Sequence, residues 1–253
     1  MAQSTMHVGG GATGGDPHQR IGAVEAASGE ILAHPDGGLF NAYSNGGLPA
    51  EVTGGLGEAW KLEELALRRW PAGSSLQAMI TALFALVDAH DVQAGAVERV
   101  RIGLSPAVYE MHGALPWTDK FKALLSAPYI ASIILHDRCC WLEQFLPGRY
   151  ADPAVDAFTR QRVQVGPDAA LAGNAASVEI AMADGRVLRE ARSEALGDPG
   201  NPLDRPRIVG KLREAAAGWF DAATVDRLAA MVDRLEDLAD VRDLMAIFRA
   251  GQR

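Results

Sequence analysis

Glycine is concentrated in the first part of this chain. Fourteen of its 27 glycines lie within the first 57 of 253 residues. Glycine loses more backbone entropy on folding than any other residue, so a segment this rich in it cannot form long helices or strands. We therefore expect the regular elements of the fold to begin after Trp60.

One run in this segment, Gly9-x-Gly11-x-x-Gly14, has the glycine spacing of a dinucleotide-binding loop. Such a loop requires a strand before it and the first turn of a helix after it. Here only eight residues precede the run, and Asp16-Pro17 follows it. We predict a flexible amino terminus at this position rather than a cofactor loop.

Acidic residues outnumber basic ones by 32 to 24, which gives a formal net charge of −8. This balance disfavours nucleic acid or an anionic membrane surface as the main partner. The longest apolar stretch, around residues 129–135, is far shorter than the roughly 18 residues that span a bilayer. No basic region followed by an apolar core marks a secretory signal, and the two cysteines are too few for a disulfide framework. We therefore predict a cytoplasmic protein without a membrane span.

Two helices and a strand are predicted in the first half of the remaining chain. Ser74 and Gln77 have the spacing of a capping box, and the apolar residues after them recur at helical intervals, which predicts a helix over 74–91. Apolar and polar residues alternate over 97–105, the pattern of a strand with one solvated face. A second helix is predicted over 126–137, with Ser126 as its N-cap.

Further strands follow in the middle of the chain. Val163 and Val165 indicate a short strand, and alternation over 178–182 indicates another. Asp184-Gly185 then forms the strongest two-residue hairpin signal in the chain, and a return strand is predicted after it.

From Pro206 onward the pattern is helical. Asp221 can cap one helix, and a final helix follows it. The apolar face of the first is Val225, Leu228, Val232 and Leu235, and that of the second is Leu244, Met245 and Phe248. Helices at both ends of a small sheet predict an α+β fold.

Neither the histidines nor the cysteines have the spacing of a metal site. The six histidines show no i, i+4 pair, and Cys139 and Cys140 are adjacent. No activating neighbour can be named for either thiol, so we interpret both as buried structural residues. We expect no metal.

Four segments, taken in order, resemble the carboxyl-terminal half of the MmgE/PrpD family. The segments are Leu67-Arg-Arg-Trp-Pro71, Lys122-Ala-Leu-Leu-Ser-Ala-Pro-Tyr-Ile-Ala131, Ala183-Asp-Gly-Arg186, and Leu196-Gly-Asp-Pro-Gly-Asn-Pro-Leu203 leading to Lys211-Leu-Arg213. The last is the most specific. Members of this family include 2-methylcitrate dehydratase, cis-aconitate decarboxylase and an iminodisuccinate epimerase.

The resemblance implies an α+β lid domain bracketed by remnants of an all-helical domain, with the active site in the cleft between the two. Residues 1–71 would be a glycine-rich lead-in and a remnant of the helical domain, 72–195 the lid, and 196–253 the returning helical segment. Full-length members carry a run of helices before the matching part. The acidic and histidine active-site residues of that run have no counterpart here.

Two positions near the start of the resemblance differ from the family pattern. Arg68 stands where the family usually has lysine, and it would hold a substrate carboxylate but is a poor proton shuttle. Gln77 stands where the family commonly has histidine, and its side chain cannot act as a general base. Gln77 is interpreted either as a substrate-binding residue or as the second half of the capping box with Ser74.

Ser126 and Tyr129 match the family's Ser-x-Pro-Tyr element without change. The first turn of a helix favours an anion, so Ser126 is predicted to bind a substrate carboxylate and Tyr129 to act as acid or base beside Arg68. The alternative is that Tyr129 is a half-buried aromatic residue with a satisfied hydroxyl.

The resemblance implies a lyase or isomerase that abstracts the proton α to a carboxylate of a small di- or tricarboxylate, followed by dehydration or decarboxylation. No cofactor is implied, because fixed donors would hold the carbanion-like charge. The chain would work as a homodimer or in a hetero-oligomer with a helical-domain subunit. The alternative is a catalytically silent lid-type module that binds a carboxylate ligand or a partner chain.

Overall fold

The computed structural model describes residues 54–250 and, before them, Leu48, Ala50 and Glu51. Contacts within the chain divide it into two units, Met1–Lys61 and Leu62–Arg253. The helices and strands below all lie in the second unit. The glycine run at Gly9 lies outside the described residues, as does the amino terminus predicted to be flexible. The domain limits at 71 and 195 stay a prediction.

The second unit contains nine helices and four strands among its described residues. In chain order these are α1 (Gln77–His90), β1 (Val97–Leu104), α2 (Pro106–His112), α3 (Lys120–Leu125), α4 (Ala127–Asp137), α5 (Pro147–Tyr150), α6 (Pro153–Arg162), β2 (Val163–Pro167), β3 (Ala176–Met182), β4 (Val187–Arg192), α7 (Arg205–Ala216), α8 (Ala222–Val232) and α9 (Val241–Ala250). The predicted α+β class is confirmed.

The four strands form one sheet in the order β2-β1-β3-β4. Strand β1 is parallel to β2 and antiparallel to β3, and β3 is antiparallel to β4. The parallel pair requires a crossover connection, which α2 to α6 provide. The strands predicted near residues 100 and 180 are therefore neighbours in one sheet, as expected.

Alternation along these strands divides the sheet into a buried and a solvated face. Val100 lies opposite Ile180, and Ile102 opposite Val178, and all four side chains are buried in the core. Helix α1 packs against β3 and β4, and α4 packs against α1 and β2. The other face carries charged side chains, including the Glu179–Arg189 ion pair. The packing of α1 and α4 fixes the position of the cavity described below.

The hairpin between β3 and β4 has a positive φ at Gly185, 87°, as predicted. Its geometry differs from a two-residue turn with two left-handed residues, because Asp184 keeps a negative φ. The Gly185 N–H donates to the Met182 carbonyl, and the Met182 N–H donates to the Arg186 carbonyl. Only Gly185, which has no Cβ, takes the left-handed conformation, so Asp184 avoids the steric clash that this conformation would cause.

The predicted capping box at the start of α1 is wrong. A single 3-10 turn, Ser74–Leu76, precedes the helix, and no side chain caps it. The carboxamide of Gln77 instead hydrogen-bonds to backbone groups of the preceding loop. Four hydrogen bonds link it to the Trp70 N–H and to the carbonyls of Trp70, Ala72 and Gly73. Backbone groups of the preceding loop replace the capping box because that loop folds back over the end of the helix.

The three carboxyl-terminal helices pack on one another in sequence, α7 on α8 and α8 on α9. Ion pairs Arg205–Asp233 and Arg213–Asp226 join α7 to α8. The predicted cap of α8 is confirmed, since the Asp221 carboxylate accepts a 2.7 Å hydrogen bond from the Thr224 N–H. None of the described helices combines the length and the apolar character needed to cross a bilayer.

Candidate functional site

A cavity of about 640 Å³ opens where the 69–70 segment, α1, the end of α4, β4 and α7 meet. It combines four guanidinium groups, three carboxylates, two thiols and three aromatic rings. These residues are Arg69, Arg138, Arg192, Arg207, Asp88, Glu143, Glu214, Cys139, Cys140, Trp70, Phe84 and Trp141. The cavity is large enough for a small molecule and carries one more cation than anion.

A glycine turn holds the 69–70 segment at the cavity. The Leu67 N–H donates to the Gly197 carbonyl over 2.8 Å, and the Gly197 N–H donates to the Asn201 carbonyl. Gly197 has a φ of 104°, and a Cβ on it would lie 2.0 Å from the Leu67 carbonyl oxygen. The most specific segment of the resemblance, 196–203, therefore works as a turn that only glycine permits at this point.

Arg69 lies between an anion and an aromatic ring. Its two terminal nitrogens donate to the two carboxylate oxygens of Glu214, over 2.8 and 2.6 Å. Its guanidinium carbon is 5.6 Å from the ring centre of Trp141. Both contacts fix the planar group, because an arginine fork matches a carboxylate and also stacks on an aromatic face.

Helix α7 presents one face to this segment. Arg207, Lys211 and Glu214 are spaced i, i+4 and i+7, which places them on one side of a helix. The Lys211 ammonium donates to the Arg68 carbonyl. Burial lowers the pKa of Lys211, and the neighbouring charges of Arg69 and Arg68 lower it further. The segment and α7 thus form one wall of the cavity with a strong concentration of positive charge.

Two other arginines of the cavity, Arg138 and Arg192, differ in the hydrogen bonds that they make. Arg138 donates to the Val87 carbonyl and pairs with Asp91, so its guanidinium is held at the C-terminal end of α1. Arg192 has a buried Nε that makes no hydrogen bond to the described residues, although Glu190 Oε1 lies 3.2 Å away. Arg192 therefore lines the cavity with its guanidinium while its buried Nε forms an ion pair with Glu190.

Both cysteines are protonated thiols at neutral pH. Burial raises the pKa of Cys139, and the carboxylates of Glu214 and Glu143 raise it further. Burial also raises the pKa of Cys140, and its thiol neighbour adds to this. Thiols, rather than thiolates, are poor nucleophiles and metal ligands. Within the part of the chain that the structure describes, no group of three or more His, Cys, Asp or Glu side chains could hold a metal ion.

The structure places Arg68 and Gln77 in different environments. Arg68 is exposed and does not line the cavity; its backbone carbonyl faces Lys211. Gln77 is buried, and all its side-chain hydrogen bonds go to the loop before α1. Its role in substrate binding stays a prediction, which requires that loop to open.

Ser126 and Tyr129 lie together at the start of α4, and neither lines the cavity. Ser126 occupies the predicted N-cap position, but its hydroxyl donates to the Leu115 carbonyl over 2.7 Å and accepts no helix N–H. Tyr129 is fully buried, and its hydroxyl donates to the Gln144 carbonyl. Burial raises the pKa of Tyr129, which makes the phenol a weaker acid. Neither Arg68 nor Tyr129 lines this cavity, so a site shared by the two stays a prediction.

Sequence reasoning missed Arg69, Arg192 and Glu214 as candidate site residues. Arg69 is the neighbour of Arg68 in the same quoted segment, and the alternation of β4 did not single out Arg192. Glu214 comes directly after Lys211-Leu-Arg213, where helical spacing from Lys211 was the available signal. None of the three has a local motif of its own, because the cavity joins segments far apart in the chain.

The fold and the cavity together define the class of the protein. It is a mixed α+β domain with a four-stranded sheet, followed by a helical segment and carrying an arginine-lined cavity. The sequence pattern of the MmgE/PrpD C-terminal domain matches residues 70–237. The chain therefore belongs to the MmgE/PrpD family, as the resemblance predicted. A search of curated proteins finds none that matches it.

Proposed function

We propose that this chain is a lid-type component of an MmgE/PrpD-type enzyme that binds a small di- or tricarboxylate in the arginine-lined cavity. The observation that carries the proposal is the combination of Arg69, Arg192 and Arg207 in one cavity of a family member. Guanidinium groups bind carboxylates through paired hydrogen bonds, so a ligand with two or three carboxylates suits this wall.

The reaction we propose is abstraction of a proton α to a carboxylate, followed by loss of water or of carbon dioxide. The negative charge that develops on the substrate spreads onto its carboxylate, where the fixed guanidinium donors stabilise it. The chain's contribution is therefore binding, orientation and charge stabilisation. A cytoplasmic location, and the lid as residues 72–195, belong to the same proposal.

The proton-transfer group is proposed to come from a second chain. Of the predicted site residues, Tyr129 and Gln77 are buried and fully engaged, and Arg68 cannot lose its proton near neutral pH. A helical-domain subunit, or a second copy of this chain, would supply the acid and base. Tyr129 would take part only after its hydrogen bond to Gln144 opens.

A second candidate is a lyase complete in this chain. The observation that favours it is the pair of further carboxylates in the cavity, Asp88 and Glu143, either of which can accept a proton. In this candidate Arg68 anchors the substrate and Tyr129 is the acid, which requires both side chains to move, because neither lines the cavity in this structure.

A turnover assay separates the two candidates. We would incubate the purified chain with methylcitrate, citrate and cis-aconitate, alone and after co-purification with its native neighbours. We expect turnover only with the partner present. Turnover by the chain alone that Asp88→Asn or Tyr129→Phe abolishes would establish the second candidate, and no turnover under either condition would refute the proposed reaction.

A further inference from the structure

Arg69 already binds a carboxylate of the protein itself, that of Glu214. Each oxygen of Glu214 accepts from a different terminal nitrogen of Arg69, over 2.6 and 2.8 Å. This two-point arrangement is the one in which an arginine binds a free carboxylate ligand. Glu214 therefore occupies the position on Arg69 that the carboxylate of a substrate would take.

The ion pair is partly shielded from water. The Arg69 side chain is 20% exposed and the Glu214 side chain 40% exposed, and the ring of Trp141 covers part of the guanidinium. Partial shielding strengthens the attraction relative to a surface pair, so the carboxylate of Glu214 is a real competitor for this guanidinium.

The position of Glu214 allows it to leave. It lies in the last turn of α7, two residues before the helix ends at Ala216, and Gly218 follows with a φ of 83°. Helix α7 makes its main element contacts with α8, and a second side-chain contact, the Lys211 hydrogen bond to the Arg68 carbonyl, joins it to the 67–71 segment. Releasing Glu214 therefore breaks one side-chain contact without opening the sheet core.

We propose that Glu214 is a built-in competitor that a di- or tricarboxylate must displace from Arg69. One carboxylate of the ligand replaces Glu214 on Arg69, and a second lies against the other guanidinium groups that line the cavity. This inference rests on the proposed function, because it assumes that carboxylates bind in this cavity. It adds that Arg69 is the anchor and that ligand binding frees the end of α7.

The test is a calorimetric titration of citrate into the full chain and three variants at one fixed ionic strength. Glu214→Gln removes the competing charge, and we expect it to lower the Kd about tenfold, which corresponds to about 1.4 kcal/mol. Arg69→Gln should bind at least tenfold more weakly than the unaltered chain. Glu236→Gln is the matched control, since it removes an exposed carboxylate that does not line the cavity.

Hydrogen exchange of the unaltered chain provides the second readout and does not depend on a variant folding. Citrate should speed amide exchange in the last turn of α7 while slowing it in the 69–70 segment. If the unaltered chain binds citrate but Glu214→Gln binds no more tightly than Glu236→Gln, the competitor role is refuted and the proposed function stands. If citrate, methylcitrate and cis-aconitate all fail to bind, the proposed function itself fails.

Discussion

At the scale of single residues, Gly185 and Gly197 each take a positive φ, 87° and 104°, in a turn of the fold. Gly185 has its predicted positive φ because the hairpin signal is local. Gly197 lies in the segment that best carried the family resemblance, but its reason, the approach of the Leu67 carbonyl, requires two segments distant in the chain. The side chains of Gln77 and Ser126 bind backbone groups of the loops that precede their helices, which a capping pattern does not predict.

Replacing Gly197 by alanine should destabilise the fold strongly. The new Cβ meets the Leu67 carbonyl oxygen, and the left-handed backbone adds strain, so we expect a loss of about 3 kcal/mol. Gly185→Ala is the matched control, because it shares the positive φ but has no atom within 4 Å of its Cβ, and it should cost about 1 kcal/mol. Urea denaturation of both variants measures the difference. Equal losses would show that the contact with Leu67 is unimportant.

Removing the Tyr129 hydroxyl should cost about 1–2 kcal/mol at neutral pH, because the buried Gln144 carbonyl loses its donor. Burial raises the pKa of Tyr129 above its ordinary value of 10.0, so above that pH the unfolded chain ionises while the folded one does not. The stabilisation is thus complete below pH 10.0 and declines as the pH rises. Denaturation of Tyr129→Phe and the unaltered chain at several pH values should show their difference narrowing above pH 10.0. A constant difference would contradict this assignment.

At the scale of elements, the spacing of apolar residues and the residue types at the turns predicted most of the sheet and the helices beside it. β1 and β3 each have one apolar face to bury, and that requirement determines their pairing partners. The parallel pairing of β2 with β1 and the position of the cavity did not follow from any single pattern. Both depend on how the α2 to α6 crossover packs, which no stretch of sequence specifies alone.

The cap of α8 is a local feature that experiment can isolate. Asp221→Ala removes the acceptor for the Thr224 N–H, so the first turn of α8 should exchange amide hydrogens faster and the melting temperature should fall by a few degrees. Asp221→Ser keeps an acceptor and should resemble the unaltered chain. Hydrogen bonds to Thr224 lower the pKa of Asp221 from 3.8, so the cap is present above that pH and is lost as the pH falls further. Equal exchange rates in both variants would refute the role of the cap.

At the scale of the whole molecule, the carboxyl-terminal helices leave apolar side chains in water. Leu228 is buried and Phe220 packs on Phe248, whereas Trp219 is 68% exposed. The other large apolar side chains exposed in this region are Ile208, Val232, Leu235, Val241, Met245 and Phe248. Several large apolar side chains exposed on neighbouring helices are typical of an interface.

We therefore expect the chain to associate, with itself or with a helical partner, through this surface. Sedimentation at low micromolar concentration should give a mass above 26.8 kDa, and Trp219→Ser with Val241→Ser should shift it toward the monomer. The control is Lys120→Ser with Phe121→Ser on the exposed side of α3. It also changes two surface residues, but outside the carboxyl-terminal helices, and should leave the sedimenting mass unchanged. A stable, active monomer would remove the need for a partner.

The central claim is that the arginine-lined cavity binds a di- or tricarboxylate. The most direct measurement is a calorimetric titration of citrate into the unaltered chain, Arg192→Gln and Arg101→Gln, where Arg101 lies on the solvated face of the sheet. We predict saturable binding that Arg192→Gln weakens about tenfold and Arg101→Gln leaves unchanged. Binding equally affected by both changes, or no saturable binding to the unaltered chain, would contradict the account.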